Sequence, residues 1–215
     1  MSLPQDQRTF GVLMLHVVKV RPIERPLLHK ARLLVEQITT SLLPQILSIH
    51  PDSLEFIFPD GPRRFGTAID NSTGDGEHSQ SETGLESRGW WLDLNDYSRY
   101  VGLENSLIRL SESLDNRPIH AVAAFSQGAA LAAMISGLCD ASSNTTRRAL
   151  LAENGIPVET FLKNLRNQQP LVFAICISGY RGSMKYCSPF YAGTLSTPSL
   201  HVIARLDTTI PAYKT

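Results

Sequence analysis

Residues 121–132 read Ala-Val-Ala-Ala-Phe-Ser-Gln-Gly-Ala-Ala-Leu-Ala. An apolar, strand-like run meets a serine between small residues and continues as an alanine-rich, helix-favouring run. That is the pattern of a nucleophile elbow, where the chain turns so sharply at the serine that the residues two positions to either side must be small. The turn pushes the hydroxyl clear of the sheet. The form here is A-x-S-x-G, with Ala124 at the position usually held by a first glycine. One methyl is a small addition at that point. The pattern predicts a strand over 119–125, a turn at Ser126 and a helix over 128–138.

Outward from the elbow, strand-like and helix-like stretches alternate. Residues 10–18 and 54–58 read as strands, the second stopped by Pro59-Asp60-Gly61-Pro62. Leu33, Leu34, Ile38 and Leu42 recur at helical spacing within 27–47, and Val101, Leu103, Leu107 and Leu110 do so within 100–114. Residues 70–87 are rich in Ser, Gly, Thr and acidic side chains and read as a mobile surface loop. Beyond the elbow helix, 147–166 suggests one or two helices interrupted at Asn154-Gly155-Ile156-Pro157, and 171–177 and 200–204 read as two more strands. Such alternation predicts an α/β fold: one domain spanning 1–215, a mostly parallel sheet with helices on both faces.

Composition narrows the function classes. Lys+Arg and Asp+Glu number 20 each in 215 residues, so no net field favours nucleic acid or an anionic membrane surface. No apolar run reaches the roughly 18 residues of a membrane span, and the first residues lack the basic-then-apolar plan of a secretion signal. The three cysteines, Cys139, Cys176 and Cys187, have no metal-binding spacing, and their odd number argues against a disulfide scaffold. The expectation is a cytoplasmic protein with no metal and no organic cofactor.

A serine hydroxyl needs a histidine to take its proton and a carboxylate to orient that histidine. In the order of α/β hydrolases the acid and then the histidine follow the serine. Asp207 is the best acid, because it opens a loop after the strand at 200–204, where open α/β sheets build their sites. The histidines are His16, His29, His50, His78, His120 and His201, and none follows Asp207. His120 and His201 read as packed, hydrogen-bonded structural groups. Trp90 and Trp91 read as core, with pocket lining as the alternative.

Several blocks in order carry a family resemblance: Leu13-Met14-Leu15-His16, Phe58-Pro59-Asp60-Gly61-Pro62, Trp90-Trp91, the Phe125-Ser126-Gln127-Gly128-Ala129-Ala130 elbow, Ile177-Ser178-Gly179-Tyr180, and Pro198-Ser199-Leu200-His201-Val202 with Asp207. The chain resembles the fungal-type FSH family of serine hydrolases, α/β hydrolases that include esterases and polyketide-releasing thioesterases. The resemblance implies an α/β-hydrolase fold and cleavage of a carboxylic ester or thioester through an acyl-enzyme on Ser126, in fungal secondary metabolism. It implies an oxyanion hole made by the amide of Gln127 and that of Val17 or Val18, with Asp207 as the triad acid and no triad histidine in this chain. The Gln127 side chain has no role in this reading. His16, beside the oxyanion loop, reads as a hydrogen-bonding group rather than a base.

Two departures from the family pattern stand out. Val17 and Val18 occupy positions where the family has glycine and an aromatic, and the chain ends at Thr215 before the family's catalytic histidine. The expectation is an α/β hydrolase lacking its C-terminal element, with activity lowered on the order of 10⁴- to 10⁶-fold. Uncovered apolar surface would then favour reduced stability or a homodimer. The other reading is a catalytically inactive α/β-hydrolase-like binding or regulatory protein. The partner class is a small acyl ester or thioester.

Overall fold

The computed structural model describes residues 10–15, 54–65, 87–94 and 98–203. A five-stranded sheet organises them. Strands β1 (Phe10–Leu15), β2 (Leu54–Ile57), β5 (Ala121–Phe125), β6 (Phe173–Ile177) and β7 (Ser199–Val202) run in the order β2-β1-β5-β6-β7. Every pairing in it is parallel. Two short strands, β3 (Arg63–Phe65) and β4 (Ser87–Gly89), pair antiparallel in a separate ribbon. The helices are α1 (Leu103–Ser113), α2 (Gln127–Asp140), α3 (Thr145–Glu153) and α4 (Val158–Lys163), with a 3₁₀ segment over Lys185–Tyr191. The arrangement is an α/β-hydrolase fold, with the elbow strand at its centre.

Parallel strands buried on both faces carry apolar residues without alternation, and β1 and β5 do so. The register pairs Val12 with Ala121 and Met14 with Ala123. These four join Ile175 and Ile177 in one buried layer. Leu13, Leu15, Val122, Ala124, Ala174 and Cys176 face the other way, into the core formed with α1 and α2. Trp90, Trp91 and Tyr100 are each 1% exposed within that core. The tryptophans are therefore core residues, as expected.

Helix α2 is apolar all round, since nearly all its residues are buried. A helix of that character belongs inside. It packs on β1, β5, β6 and the 3₁₀ segment. Gly137 allows the last contact, because a Cβ there would collide with the carbonyl oxygen of Phe190.

Three readings of the sequence need correction. The ribbon β3–β4 and the 3₁₀ segment were not anticipated, because three-residue strands are too short to show a period. Ser87 starts β4 rather than closing the loop read over 70–87, and 70–86 lie outside the described residues. Strand β7 is exposed along its whole length. As an edge strand it has a neighbour on one side only among the described residues, so His201 is exposed rather than packed in the core. The helix read within 27–47, the strand residues 16–18 and the segment from 204 onwards are also outside the described residues. Among those described, no helix is long and apolar enough to cross a membrane.

Candidate active site

Strand β5 ends at Phe125 and α2 begins at Gln127, so Ser126 alone makes the turn. Its backbone sits at φ 56°, ψ −125°. This is a sparsely populated region for a residue with a Cβ, and it persists only where surrounding contacts enforce it. The contacts are visible on both sides. The Ser126 amide donates to the carbonyl of Ile177 at 2.9 Å, extending the β5–β6 ladder. Its own carbonyl accepts from Ala129 at 2.9 Å and Ala130 at 3.1 Å, starting the helix.

Serine at a helix N-cap normally turns its hydroxyl back to an amide of the first turn. Here the Ser126 hydroxyl makes no such bond. The residue is half-buried. The first-turn amides of Gln127 and Gly128 have no intrahelical partner, as the geometry of helix starts requires. Hydroxyl and unpaired amides at one turn are the parts that acyl chemistry uses.

Gln127 does more than the sequence indicates. Its side-chain oxygen accepts from the Trp90 amide at 3.0 Å, and its side-chain nitrogen donates to the Trp91 carbonyl at 2.9 Å. The residue after the serine thus clamps a buried segment to the elbow, which corrects the expectation that its side chain has no role. The partners are backbone groups far away in sequence, and backbone groups leave no compositional signal.

The end of β6 closes the other flank. Ser178 has φ 47° and donates its amide to Val202 at 2.8 Å. A Cβ on Gly179 would lie 2.8 Å from the Cβ of Ala129 in the first turn of α2. The loop that follows is held by phenols, with Ser183 donating to Tyr100 at 2.9 Å and Gly182 to Tyr191 at 3.0 Å. Tyr180 stands edge-on to Trp91, and burial pushes its phenol up.

The candidate bases among the described residues do not reach this turn. His120 accepts from the Gly11 amide through Nδ1 at 3.0 Å and stacks on Phe10. It is a structural histidine, as expected, and burial lowers its pKa. His201 sits on β7 opposite Cys176. Asp207, Val17, Val18 and His16 lie outside the described residues. The cysteines are buried and unpaired. Burial pushes the thiols of Cys176 and Cys187 up to about 12 and raises that of Cys139 as well. Such thiols are poor nucleophiles. Among the described residues no group of His, Cys, Asp and Glu could hold a metal ion.

A network that sequence reading missed supports the approach to β7. Asp140 and Arg147 are buried and paired at 2.8 Å. Arg147 also donates to the carbonyls of Pro189, Phe190 and Thr194, and Asp140 accepts from the amide and hydroxyl of Ser196. Burial alone would raise the Asp140 carboxyl, but the bonds from Ser196 and Arg147 outweigh it and hold it below its ordinary range.

The family model described as serine hydrolase (FSH1) matches residues 29–215. Esterase OVCA2 from Danio rerio is 27% identical over 171 residues, covering 74% of this chain and 66% of that protein. A hydrolase of Schizosaccharomyces pombe, C22A12.06c, is 27% identical over 167 residues, covering 74% of this chain and 34% of that protein. The chain thus spans about two thirds of the first relative and about a third of the second. The crystal structure of Zea mays acyl-protein thioesterase 2 aligns with a TM-score of 0.47 at 17% identity, over 99% of this chain and 78% of that one.

Proposed function

The chain belongs to the serine hydrolase (FSH1) family, and from that premise we propose that it cleaves a carboxylic ester or thioester through an acyl-enzyme on Ser126. The observation that carries this reading is the Ser126 turn, with its strained backbone and a hydroxyl withheld from the helix cap. The hydroxyl oxygen attacks the acyl carbon while its proton passes to a general base. Negative charge on the former carbonyl oxygen is received by the Gln127 amide, at the positive end of α2. The intermediate collapses with loss of the alcohol or thiol, and water then repeats the sequence to release the acid.

Asp207 is the proposed orienting acid, and an amide of Val17 or Val18 the second oxyanion donor. In the family's order the histidine base comes after Asp207, where none of this chain's six histidines lies. The acyl class rests on the family and on a relative named as an esterase.

The test uses a fluorophosphonate probe and a p-nitrophenyl ester on the 215-residue chain. The expected result is labelling at Ser126 and a low turnover, on the order of 10⁴- to 10⁶-fold below that of a complete triad, with both lost in Ser126→Ala. Equal turnover in Ser126→Ala, or silence towards both reagents in a folded sample, overturns the reading. Silence would indicate a binding module on the same fold.

A further inference from the structure

The side chain of Gln127 joins the elbow to a distant stretch of backbone. Its oxygen accepts from the Trp90 amide at 3.0 Å and its nitrogen donates to the Trp91 carbonyl at 2.9 Å. One donor and one acceptor are matched at once, so the carboxamide has a single orientation, because a flip would set N–H against N–H and oxygen against oxygen. The Tyr180 phenol, kept protonated by burial, lies against the same side chain. Both tryptophans are 1% exposed, so water competes little for these bonds.

The far end of this clamp is a firm anchor. Leu92 and Val101 exchange two backbone hydrogen bonds of 3.0 Å. The Ser106 hydroxyl on α1 donates to the Trp90 carbonyl, and the Trp91 ring stacks on Tyr100 at a centroid distance of 5.3 Å. The near end needs holding. Bonds from Ala129 and Ala130 to the Ser126 carbonyl aim the Gln127 amide along α2, but helix ends fray. The Ser126 backbone is also strained, and such a conformation persists only where its surroundings enforce it. The Gln127 side chain ties this turn sideways to the anchored segment.

We propose that Gln127 is a positioning residue through its side chain: by clamping the first turn of α2 to the backbone of Trp90 and Trp91, it holds its own amide where the charge of the acyl oxygen develops. This role rests on the reading of Ser126 as the nucleophile and deepens it. An oxyanion donor is effective when it is fixed before the charge appears, and a misplacement of about 1 Å costs on the order of 10²-fold in rate. Losing the clamp therefore slows attack by Ser126 while leaving its hydroxyl in place.

The experiment uses the full chain, a fluorophosphonate probe for Ser126 and ¹⁵N relaxation at the position-127 amide. Gln127→Met keeps the length and helix propensity of the side chain and removes both bonds. Its amide order parameter is expected to fall from about 0.85 to below about 0.6, and its labelling rate at least about tenfold. Gln127→Glu carries a pH signature. An ionised carboxylate still accepts from Trp90 but repels the Trp91 carbonyl, whereas a protonated one donates to it. Its labelling rate relative to the parent is expected to rise as pH falls from about 7.5 to 4.5. Ser106→Ala removes a tie of the tryptophan segment away from the elbow, and is expected to melt lower yet label within about twofold of the parent. Labelling of folded Gln127→Met within about twofold of the parent, an unchanged order parameter, a flat ratio for Gln127→Glu, or equal slowing by Ser106→Ala overturns the positioning role and leaves the Ser126 reading standing. A folded parent that the probe does not label overturns that reading, and the positioning role with it. If Gln127→Met does not fold, the pH ratio of Gln127→Glu decides.

Discussion

Ser126 holds a conformation that glycine adopts without strain and that a Cβ disfavours by about 1–3 kcal/mol. Replacing it by glycine removes the strain, whereas alanine keeps the Cβ. Ser126→Gly is therefore expected to melt higher than Ser126→Ala, although both lose the nucleophile. Equal or reversed melting temperatures would show that the turn is unstrained. The elbow was readable because its steric demand selects small residues on both sides of one serine, and those residues stand in the sequence. The Gln127 clamp was not, since it grips the backbone of residues 90 and 91. His120 gives a second prediction at this scale. Its Nδ1 can accept from Gly11 only while unprotonated, and burial lowers its pKa from 6.5. The unfolded chain therefore takes up the proton first, so its contribution to stability is complete above about pH 6.5 and declines as pH falls towards the folded-state value. His120→Asn does not titrate, so its melting temperature should fall less steeply than the parent's between pH 7.5 and 5. Parallel slopes would rule the effect out.

At the scale of elements, α2 is held at its far end by charge as well as by apolar packing. Asp140 closes it, and Arg147 in the first turn of α3 ties that end to the 3₁₀ segment and to the approach to β7. Removing one partner leaves the other buried and uncompensated, at a cost of about 3–5 kcal/mol. Arg147→Met is expected to lose that much in urea unfolding, and Asp140→Asn/Arg147→Met to recover a large part of it. A single variant within about 1 kcal/mol of the parent would mean the pair contributes little. From sequence, 140–146 reads as a polar connection, because an aspartate and an arginine seven residues apart look like any solvated pair. Burial is a property of the assembly. Helices α1 and α2 were legible because their apolar residues extend over several turns. The break at Asn154–Pro157 likewise separates α3 from α4, as read.

For the whole molecule, alternation of strands and helices specifies a parallel sheet but not its order, since a strand's own residues say little about which neighbour it takes. The centrality of β5 was still legible from Ala121, Val122, Ala123 and Ala124, which are small or branched enough to be covered on both faces. The position of β7 at the edge of the sheet among the described residues was not, because Leu200, Val202 and Ile203 look like core residues yet are 55%, 43% and 41% exposed. Apolar character pointed inward where topology put the strand outside. Stability should follow topology. Backbone amides of β5 lie between two parallel neighbours and beneath α2, so they open only with the whole fold, whereas β7 can separate from β6 alone. In native-state hydrogen exchange, the amides of Val122, Ala123 and Ala124 are expected among the slowest. Those of Leu200 and Val202 should exchange at least about tenfold faster, with a shallower dependence on added denaturant. Equal protection in the two strands would show that β7 opens only with the core, and would overturn this expectation.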